Sequence, residues 1–207
     1  MLSWLIGVAA AATTLPTPVE AKGSPASWVR ASDLPEIDRQ AAVTTFDLII
    51  DSSGNPIACN IVVPSGSGKM DSAICEALLK RARFKPSSDA DGSNTASIYR
   101  DRVVWLPSAG ESNYWVKAPD IVISTPQLTD KLKQVAEVLI VTEGNGGPPT
   151  CMVSISVGHP NLDKRACSVA ADPKVSPPIK VLGVQVHGVR LLRIGFTPGP
   201  VERVIIR

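Results

Sequence analysis

Four cysteines are the residues whose type and spacing best suit chemistry in this sequence. Cys59 and Cys75 lie 16 positions apart (75 − 59), and so do Cys151 and Cys167 (167 − 151). Redox-active pairs usually occur as Cys-x-x-Cys, with a thiolate whose pKa is depressed. The wider spacing favours structural disulfides that join two elements, which are typical of an oxidising compartment outside the cytoplasm.

The other reactive residue types form no recognisable site. His159 and His187 are far apart and belong to no zinc-ligand spacing. The segment Gly66-Ser67-Gly68-Lys69 has Val63 where a phosphate-binding loop has glycine, and Met70 where it has Ser or Thr, so a strand-to-helix turn is the better interpretation. We therefore expect no metal, no cofactor, no catalytic residue and no enzymatic activity.

The composition is that of an ordinary globular protein. The 207 residues are 44% hydrophobic and 19% charged, with a formal net charge of +2. Nucleic-acid binding needs a clustered basic face, whereas the cluster Lys80 to Lys85 falls at the end of a predicted helix, where the helix dipole favours cations. We expect no nucleic-acid partner.

The first residues predict export. Leu2 to Ala12 is an apolar run of the length of a signal-peptide core, too short to span a bilayer. Val19-Glu20-Ala21 fits a cleavage site, so residues 1–21 are predicted to be a signal peptide; Ala10-Ala11-Ala12 is a second candidate. No Lys or Arg precedes Leu2, which leaves a weak uncleaved anchor in the inner membrane as the alternative.

A strand–strand–helix–strand order is predicted between Phe46 and Pro107. Strands are expected at Phe46–Asp51, Ile57–Pro64 and Ala96–Leu106, because β-branched and aromatic residues are bounded there by Gly, Asn and Pro. Met70 to Arg83 predicts a helix whose apolar residues recur at helical spacing, with Ile74, Leu78 and Ala82 facing the sheet.

This order and its short motifs resemble the C-terminal domain of TonB, the periplasmic energy transducer. The matching motifs are Ile50-Asp51-Ser52-Ser53-Gly54, Val63-Pro64-Ser65-Gly66-Ser67, Met70-Asp71, Arg81-Ala82-Arg83-Phe84-Lys85-Pro86 and Asp91-Gly92. Arg81 stands where the family usually has an aromatic residue, and the Cys59 and Cys75 pair resembles a cysteine-bearing subgroup.

The resemblance implies a protein-binding function. In that family an exposed edge strand captures a short extended peptide of an outer-membrane transporter, and main-chain hydrogen bonds supply the affinity. The corresponding edge here is the last strand of the module, with the candidate partner-binding residues Tyr99, Arg100, Asp101, Arg102, Val103, Val104 and Trp105. The chain lacks the long proline-rich stretch of a complete transducer, so a duplicated relative is expected instead.

An internal repeat extends this organisation to the rest of the chain. Cys59 and Cys151 are 92 positions apart (151 − 59), as are Cys75 and Cys167, and Trp28-Val29-Arg30-Ala31-Ser32-Asp33 recurs as Trp115-Val116-Lys117-Ala118-Pro119-Asp120. The predicted units are a first module over 28–107, a linker over 108–114 and a degenerate second module over 115–207. Trp28 and Trp115 are interpreted as core residues under the sheet.

The second module is expected to differ in two respects. Pro173 should make its helix about one turn shorter. Lys180–His187, Val189–Phe196 and Val201–Ile206 are predicted to be strands, some of which pair with the first module.

The repeat selects one of the three pairings that four cysteines allow, Cys59–Cys75 and Cys151–Cys167. The sequence therefore predicts an α+β protein of two tandem TonB-like modules, each a small antiparallel sheet with one helix. The expected function is binding of a protein partner in the periplasm. The alternative is an accessory cell-envelope protein with no energy-transducing role.

Overall fold

Runs of β-branched residues and two amphipathic segments produce a mixed α+β fold, as the sequence predicts. The computed structural model describes residues 14–35, 41–105, 113–115, 118–128, 134–199 and 203–206. The predicted leader core (2–12), most of the linker and the side chain of Trp115 lie outside the described residues. The strands are β1 Glu20–Ala21, β2 Ala42–Ile50, β3 Pro56–Val63, β4 Phe84–Lys85, β5 Ser87–Ser88, β6 Asn94–Trp105, β7 Asn113–Trp115, β8 Ile121–Thr125, β9 Val135–Thr142, β10 Thr150–Ile155, β11 Lys180–Val181, β12 Val184–Gln185, β13 Gly188–Pro198 and β14 Arg203–Ile206, and the α-helices are α1 Gly68–Arg81 and α2 Pro160–Ala170.

One sheet contains both halves of the chain. Its strand order is β10-β9-β13-β6-β2-β3, and β13 joins the halves by pairing in parallel with β6, where Val189 lies opposite Ser97. Within the halves, β2 lies antiparallel between β3 and β6, and β9 lies antiparallel between β10 and β13. Both halves thus have the predicted strand–strand–helix–strand order.

The two helices lie on opposite faces of this sheet. In β6, Tyr99 and Val103 point into the core beneath α1, whereas in β13 Leu192 and Ile194 point into the core beneath α2. The parallel register sets Arg190 of β13 beside Ile98 of β6. Because side chains alternate between the faces of a strand, the α2 side of β13 continues into the side of β6 that faces away from α1.

Each half has its own apolar core. Ile74 and Leu78 of α1, and Ala82 directly after it, are buried in one apolar core with residues of β2, as the helical spacing predicts. Trp28 is buried beside Phe84, with ring centroids 5.1 Å apart, which confirms its predicted place in the core. The core of the second half contains α2, β8, β9 and β13.

The repeat also reproduces the loop bonds. The main-chain N–H of Ser65 donates to the Asp71 carboxylate at 3.0 Å, and that of Val157 donates to Asp163 at the same distance. Both helices begin at equivalent positions, but α1 has 14 residues and α2 has 11, so the predicted shortening is confirmed. The Ser65–Ser67 segment is the predicted strand-to-helix turn, and the Ser67 hydroxyl accepts a hydrogen bond from the Met70 N–H.

Both predicted disulfides are present. Cys59–Cys75 joins β3 to α1 and Cys151–Cys167 joins β10 to α2, each with Cα atoms 5.6 Å apart. Closing a loop of this length stabilises a fold by about 3 kcal/mol in the chain-entropy model. The disulfides indicate an extracytoplasmic compartment. No helix in the described part of the chain is long and apolar enough to cross a membrane.

Residues 14–21, which the predicted cleavage after Ala21 would remove, pack on the first half. Thr17 forms a β-bridge with Ser88, and β1 pairs with β4. Val19 is 8% exposed and belongs to the core of the first half. The module therefore includes residues that the sequence analysis assigned to the leader.

Several elements differ from the sequence prediction, among them β7, which includes residues 113 and 114 of the predicted linker. Lys180–His187 is not one strand but the hairpin β11–β12, because Leu182 and Gly183 turn with φ of 51° and 83°. The strand β8 was not predicted. It pairs in parallel with the second half of β13 and antiparallel with β14, so it fills the space that opens where β13 leaves β6.

Candidate functional site

The predicted partner-binding strand lies inside the sheet. β6 pairs with β2 along one side, from Ser97 to Trp105. On its other side, Ala96–Ile98 pair with β13 and Val103–Trp105 pair with β7. These two strands therefore cover parts of the edge that the resemblance implied, and Tyr99–Arg102 lie between the covered parts. A role of Tyr99 to Trp105 in partner binding stays a prediction.

A small cavity marks the place where β6 and β13 diverge. Between the two paired stretches, Tyr99–Arg102 has no strand partner on this side among the described residues. The cavity has a volume of about 70 Å³, and Arg100, Asp120 and Arg193 line it. We call these residues, with Asp47 and Arg190, the junction cluster.

A buried ion pair forms the first part of the junction cluster. Arg100 Nε donates to Asp47 Oδ1 at 2.7 Å and Arg100 Nη2 donates to Asp47 Oδ2 at 2.8 Å, across paired positions of β6 and β2. Burial by itself lowers the pKa of Arg100, but the hydrogen bonds and charge of Asp47 more than offset this and raise it. The Arg100 guanidinium is thus held in its charged form.

Arg190 is a second buried cation. It is 2% exposed, and its Nη1 lies 3.5 Å from the carbonyl oxygen of Val175, while its Nη2 has no hydrogen-bond partner among the described residues. Burial lowers its pKa to about 10, with the charge of Asp47 acting against this effect and that of Arg100 adding to it. The pKa of Arg190 therefore depends on charges from both halves of the chain.

Asp120 completes the cluster from the second half. It is 5% exposed, its N–H donates to the Arg193 carbonyl oxygen at 2.8 Å, and its Oδ2 accepts from the Arg193 N–H at 2.7 Å. Burial raises its pKa to about 6, although the Arg193 N–H and the charge of Arg100 act in the opposite direction. This carboxyl group changes its charge in mildly acidic solution.

Two further residues of the predicted strand are held on the side of α1. Tyr99 donates its hydroxyl to Asp101 Oδ2 at 2.6 Å, and its ring packs on those of Trp28 and Phe84. Burial raises the pKa of Tyr99, and burial likewise raises the pKa of Asp101. Both groups are fixed by packing and are poorly placed to meet a partner.

The junction cluster brings charged side chains of the two halves close enough to influence each other's pKa. Its hydrogen-bonded pairs each lie within one half, Asp47 with Arg100 in the first and Asp120 with the Arg193 N–H in the second. Among the described residues, no group of three His, Cys, Asp or Glu could hold a metal ion. His159 precedes α2, and the Nδ1 of His187 lies 3.3 Å from a carboxylate oxygen of Glu143.

Sequence reasoning did not single out Asp47, Asp120 or Arg190. The only signal for Asp120 was its place in the repeated segment that also contains Asp33. Arg190 interrupts the apolar run Val189–Phe196, and Asp47 interrupts Phe46–Ile50; an ionisable residue at a buried strand position needs a partner. That rule identifies the residues, but not which ones meet.

The free edges of the sheet lie elsewhere. Among the described strands, β3 pairs only with β2, and β10 pairs only with β9. β3 has eight residues and no charged side chain, with register shifts near both ends. β10 has six residues and one shift. Charges, bulges and short length all protect an edge from pairing with another chain. Neither strand has a charged side chain and β3 has more register shifts, so it is only by its greater length that β3 is the less protected of the two.

Comparison with known proteins gives no relative. No family model, no curated protein and no solved structure matches this chain.

Proposed function

We propose that this chain is an exported envelope protein that binds an extended segment of a partner protein along the outer edge of β3. The main support for this proposal is that β3 is an uncharged strand of eight residues whose outer edge has no strand partner among the described residues, and that a disulfide joins it to α1. An added strand obtains its affinity from main-chain hydrogen bonds, and a rigid edge reduces the entropy that binding costs. The proposed activity is binding, not turnover.

The resemblance to the TonB C-terminal domain supports the class of partner. Its motifs occupy the turns and helix ends that shape the first half: Gly54 has φ of 86°, Asp71 holds the start of α1 and Phe84 packs on Trp28. We interpret the two halves as tandem TonB-like modules, of which the second is degenerate. The partner would then be a peptide segment of an outer-membrane protein.

A periplasmic location is part of this proposal. The disulfides need an oxidising compartment, and a signal peptide that ends at Ala12 would leave the packed residues 14–21 in place. Mass analysis of the protein from its host should therefore find a chain that starts near Thr13. A start at Lys22 would contradict this, because β1 and Val19 would be lost.

A second function is favoured by the pairing of β13 with β6. The second half covers the strand that the resemblance identifies as the docking edge, which suits an accessory envelope protein without an energy-transducing role. In that case the main role of the second half is to cover part of the β6 edge of the first half by strand pairing.

A photo-crosslinking amino acid in place of Asn60 separates the two functions. Asn60 is exposed in the middle of β3, and the matched control is Ser154, which is exposed on β10. Peptide binding at β3 predicts adducts from position 60 to one extended segment of an envelope protein, and none from position 154. If neither folded variant forms such an adduct, the accessory function is favoured.

A further inference from the structure

A hairpin finger projects from the second half with apolar residues at its tip. We use this name for β11, β12 and their turn, Lys180–Gln185. Leu182 is 98% exposed and Val184 is 66% exposed. Leu182 is also the single non-glycine residue with positive φ in the described chain, at 51°. Asn or Gly suits the first turn position far better, so turn formation does not account for a leucine here.

The finger is held firmly at its base. Val181 and Val186 pack against the buried apolar cluster that contains Ile98 and Ile179, and the Val186 N–H donates to the Ile179 carbonyl oxygen at 3.0 Å. The Gln185 amide donates to the Glu143 carbonyl oxygen at 2.8 Å. The tip is therefore presented by a fixed support.

A groove of about 520 Å³ opens beside the finger. Its apolar lining comes from Leu15, Val141 and Met152, and three carboxylates also line it, those of Asp89, Asp91 and Glu143. His187, two residues after the finger, lines the groove as well and contacts Glu143. Finger and groove are thus neighbours at one end of the sheet.

We propose that two copies of this chain associate by placing the finger of each in the groove of the other. The exposed Leu182 and Val184 would pack on the apolar part of the lining. The exposed Lys180 of the finger complements the carboxylates of the groove. Because finger and groove adjoin, a two-fold axis beside His187 forms both contacts at once, which is the commonest symmetry of homodimers. This association does not depend on binding at β3.

Sedimentation velocity of the full chain tests the association, with Leu182→Asn as the principal variant. Asn-Gly favours this type of turn, so the variant should fold with an unchanged or higher Tm. Loss of two buried leucine side chains should nevertheless raise the dimer Kd by at least about tenfold. A wild-type chain that stays monomeric up to roughly 1 mM, or a dimer that Leu182→Asn does not weaken, would overturn the proposal.

A charge exchange tests which surfaces meet. Lys180→Glu and Asp91→Lys should each weaken the dimer, because like charges then face each other at both contacts. An equal mixture of the two variants should restore association, since every finger again meets a groove of opposite charge. If the mixture stays monomeric, the assignment of the finger to the groove is wrong.

A lipid surface is the competing partner for the tip of the finger, and vesicles of anionic phospholipid test it. The second-copy proposal predicts that the monomer does not cosediment with them through Leu182. Cosedimentation that Leu182→Asn abolishes, without any dimer in solution, would instead show that the finger docks on a lipid surface.

Discussion

The two halves of the chain have side chains of opposite chemistry at equivalent positions of the sheet. On the sheet face away from its own helix, the first half has the paired positions Asp47 and Arg100, whereas the second half has Leu139 and Leu191. The first pair is a buried salt bridge and the second belongs to an apolar cluster. The same backbone accepts either, and the surroundings decide: Asp47 and Arg100 lie where Arg190 and Asp120 of the other half come close.

The repeated aspartates show the same division. Asp33 lies at the surface of the first half and accepts hydrogen bonds from the Arg30 N–H and the Arg81 guanidinium. Burial by itself raises its pKa, but the hydrogen bonds and charges of these two arginines together outweigh it and lower the pKa overall. Burial at the junction instead raises the pKa of Asp120 to about 6. Position in the assembled sheet, rather than local sequence, sets the ionisation of each.

Removal of half of the junction salt bridge should give the largest effect. Asp47→Leu leaves Arg100 buried without its carboxylate and deprives Arg190 of a nearby negative charge, so the free energy of unfolding should fall by about 3–5 kcal/mol. Urea unfolding measures this loss.

The matched control makes the first half resemble the second. The double variant Asp47→Leu with Arg100→Leu places an apolar pair where the second half has Leu139 and Leu191. Replacing both charges of a buried pair is often neutral or stabilising, so most of the loss should be recovered. If the double variant is as unstable as Asp47→Leu, the two halves are not interchangeable at this site.

The pH dependence of stability should separate the two aspartates. The pKa of Asp120 is about 6 in the fold and about 3.9 in the unfolded chain, so the fold binds this proton more readily. Its stabilising contribution is complete below the unfolded pKa and is lost as the pH rises through about 6. Asp33 has the opposite sign, and its contribution is lost as the pH falls below the unfolded value.

Asp120→Asn keeps an oxygen for the Arg193 N–H but cannot titrate. From about pH 7 to about pH 4.5, the wild type should gain about 2 kcal/mol relative to this variant. Chemical denaturation at a series of pH values measures the difference. Parallel pH profiles for the two proteins would show that Asp120 ionises normally and that the junction does not bury it.

The equivalent turn glycines should differ by a smaller amount. Gly54 and Gly146 have φ of 86° and 82°, so alanine at either costs about 1–2 kcal/mol through the left-handed backbone. A Cβ at Gly54 would lie 2.2 Å from the Phe84 carbonyl oxygen, whereas at Gly146 nothing lies within 4 Å. Gly54→Ala should therefore be less stable than Gly146→Ala by about 1–3 kcal/mol. Equal melting temperatures would contradict the closer packing of the first half.

Much of the local structure could be predicted from the sequence. The helix starts, the three strands of the first half and both disulfides follow from apolar period, turn residues and the repeat. The hairpin at Leu182 could not, because only Gly183 marks a turn and leucine at positive φ defies the usual preference. Among the candidate site residues, Arg100 was named as a partner contact, but its buried pairing with Asp47 was not foreseen.

The sequence by itself determined the helices, most main strands and the disulfide of each half. Turn residues and apolar spacing act over short stretches of chain, and the repeat of 92 positions identifies which cysteines pair within a half. Only the tertiary structure decided how the halves meet. Pairing β13 in parallel with β6 placed the helices on opposite faces, closed the strand that the resemblance made an edge and left β3 free. It also buried Asp120 and Arg190 beside Asp47 and Arg100. Register between distant strands depends on the summed burial and pairing of both, which no single stretch of residues encodes.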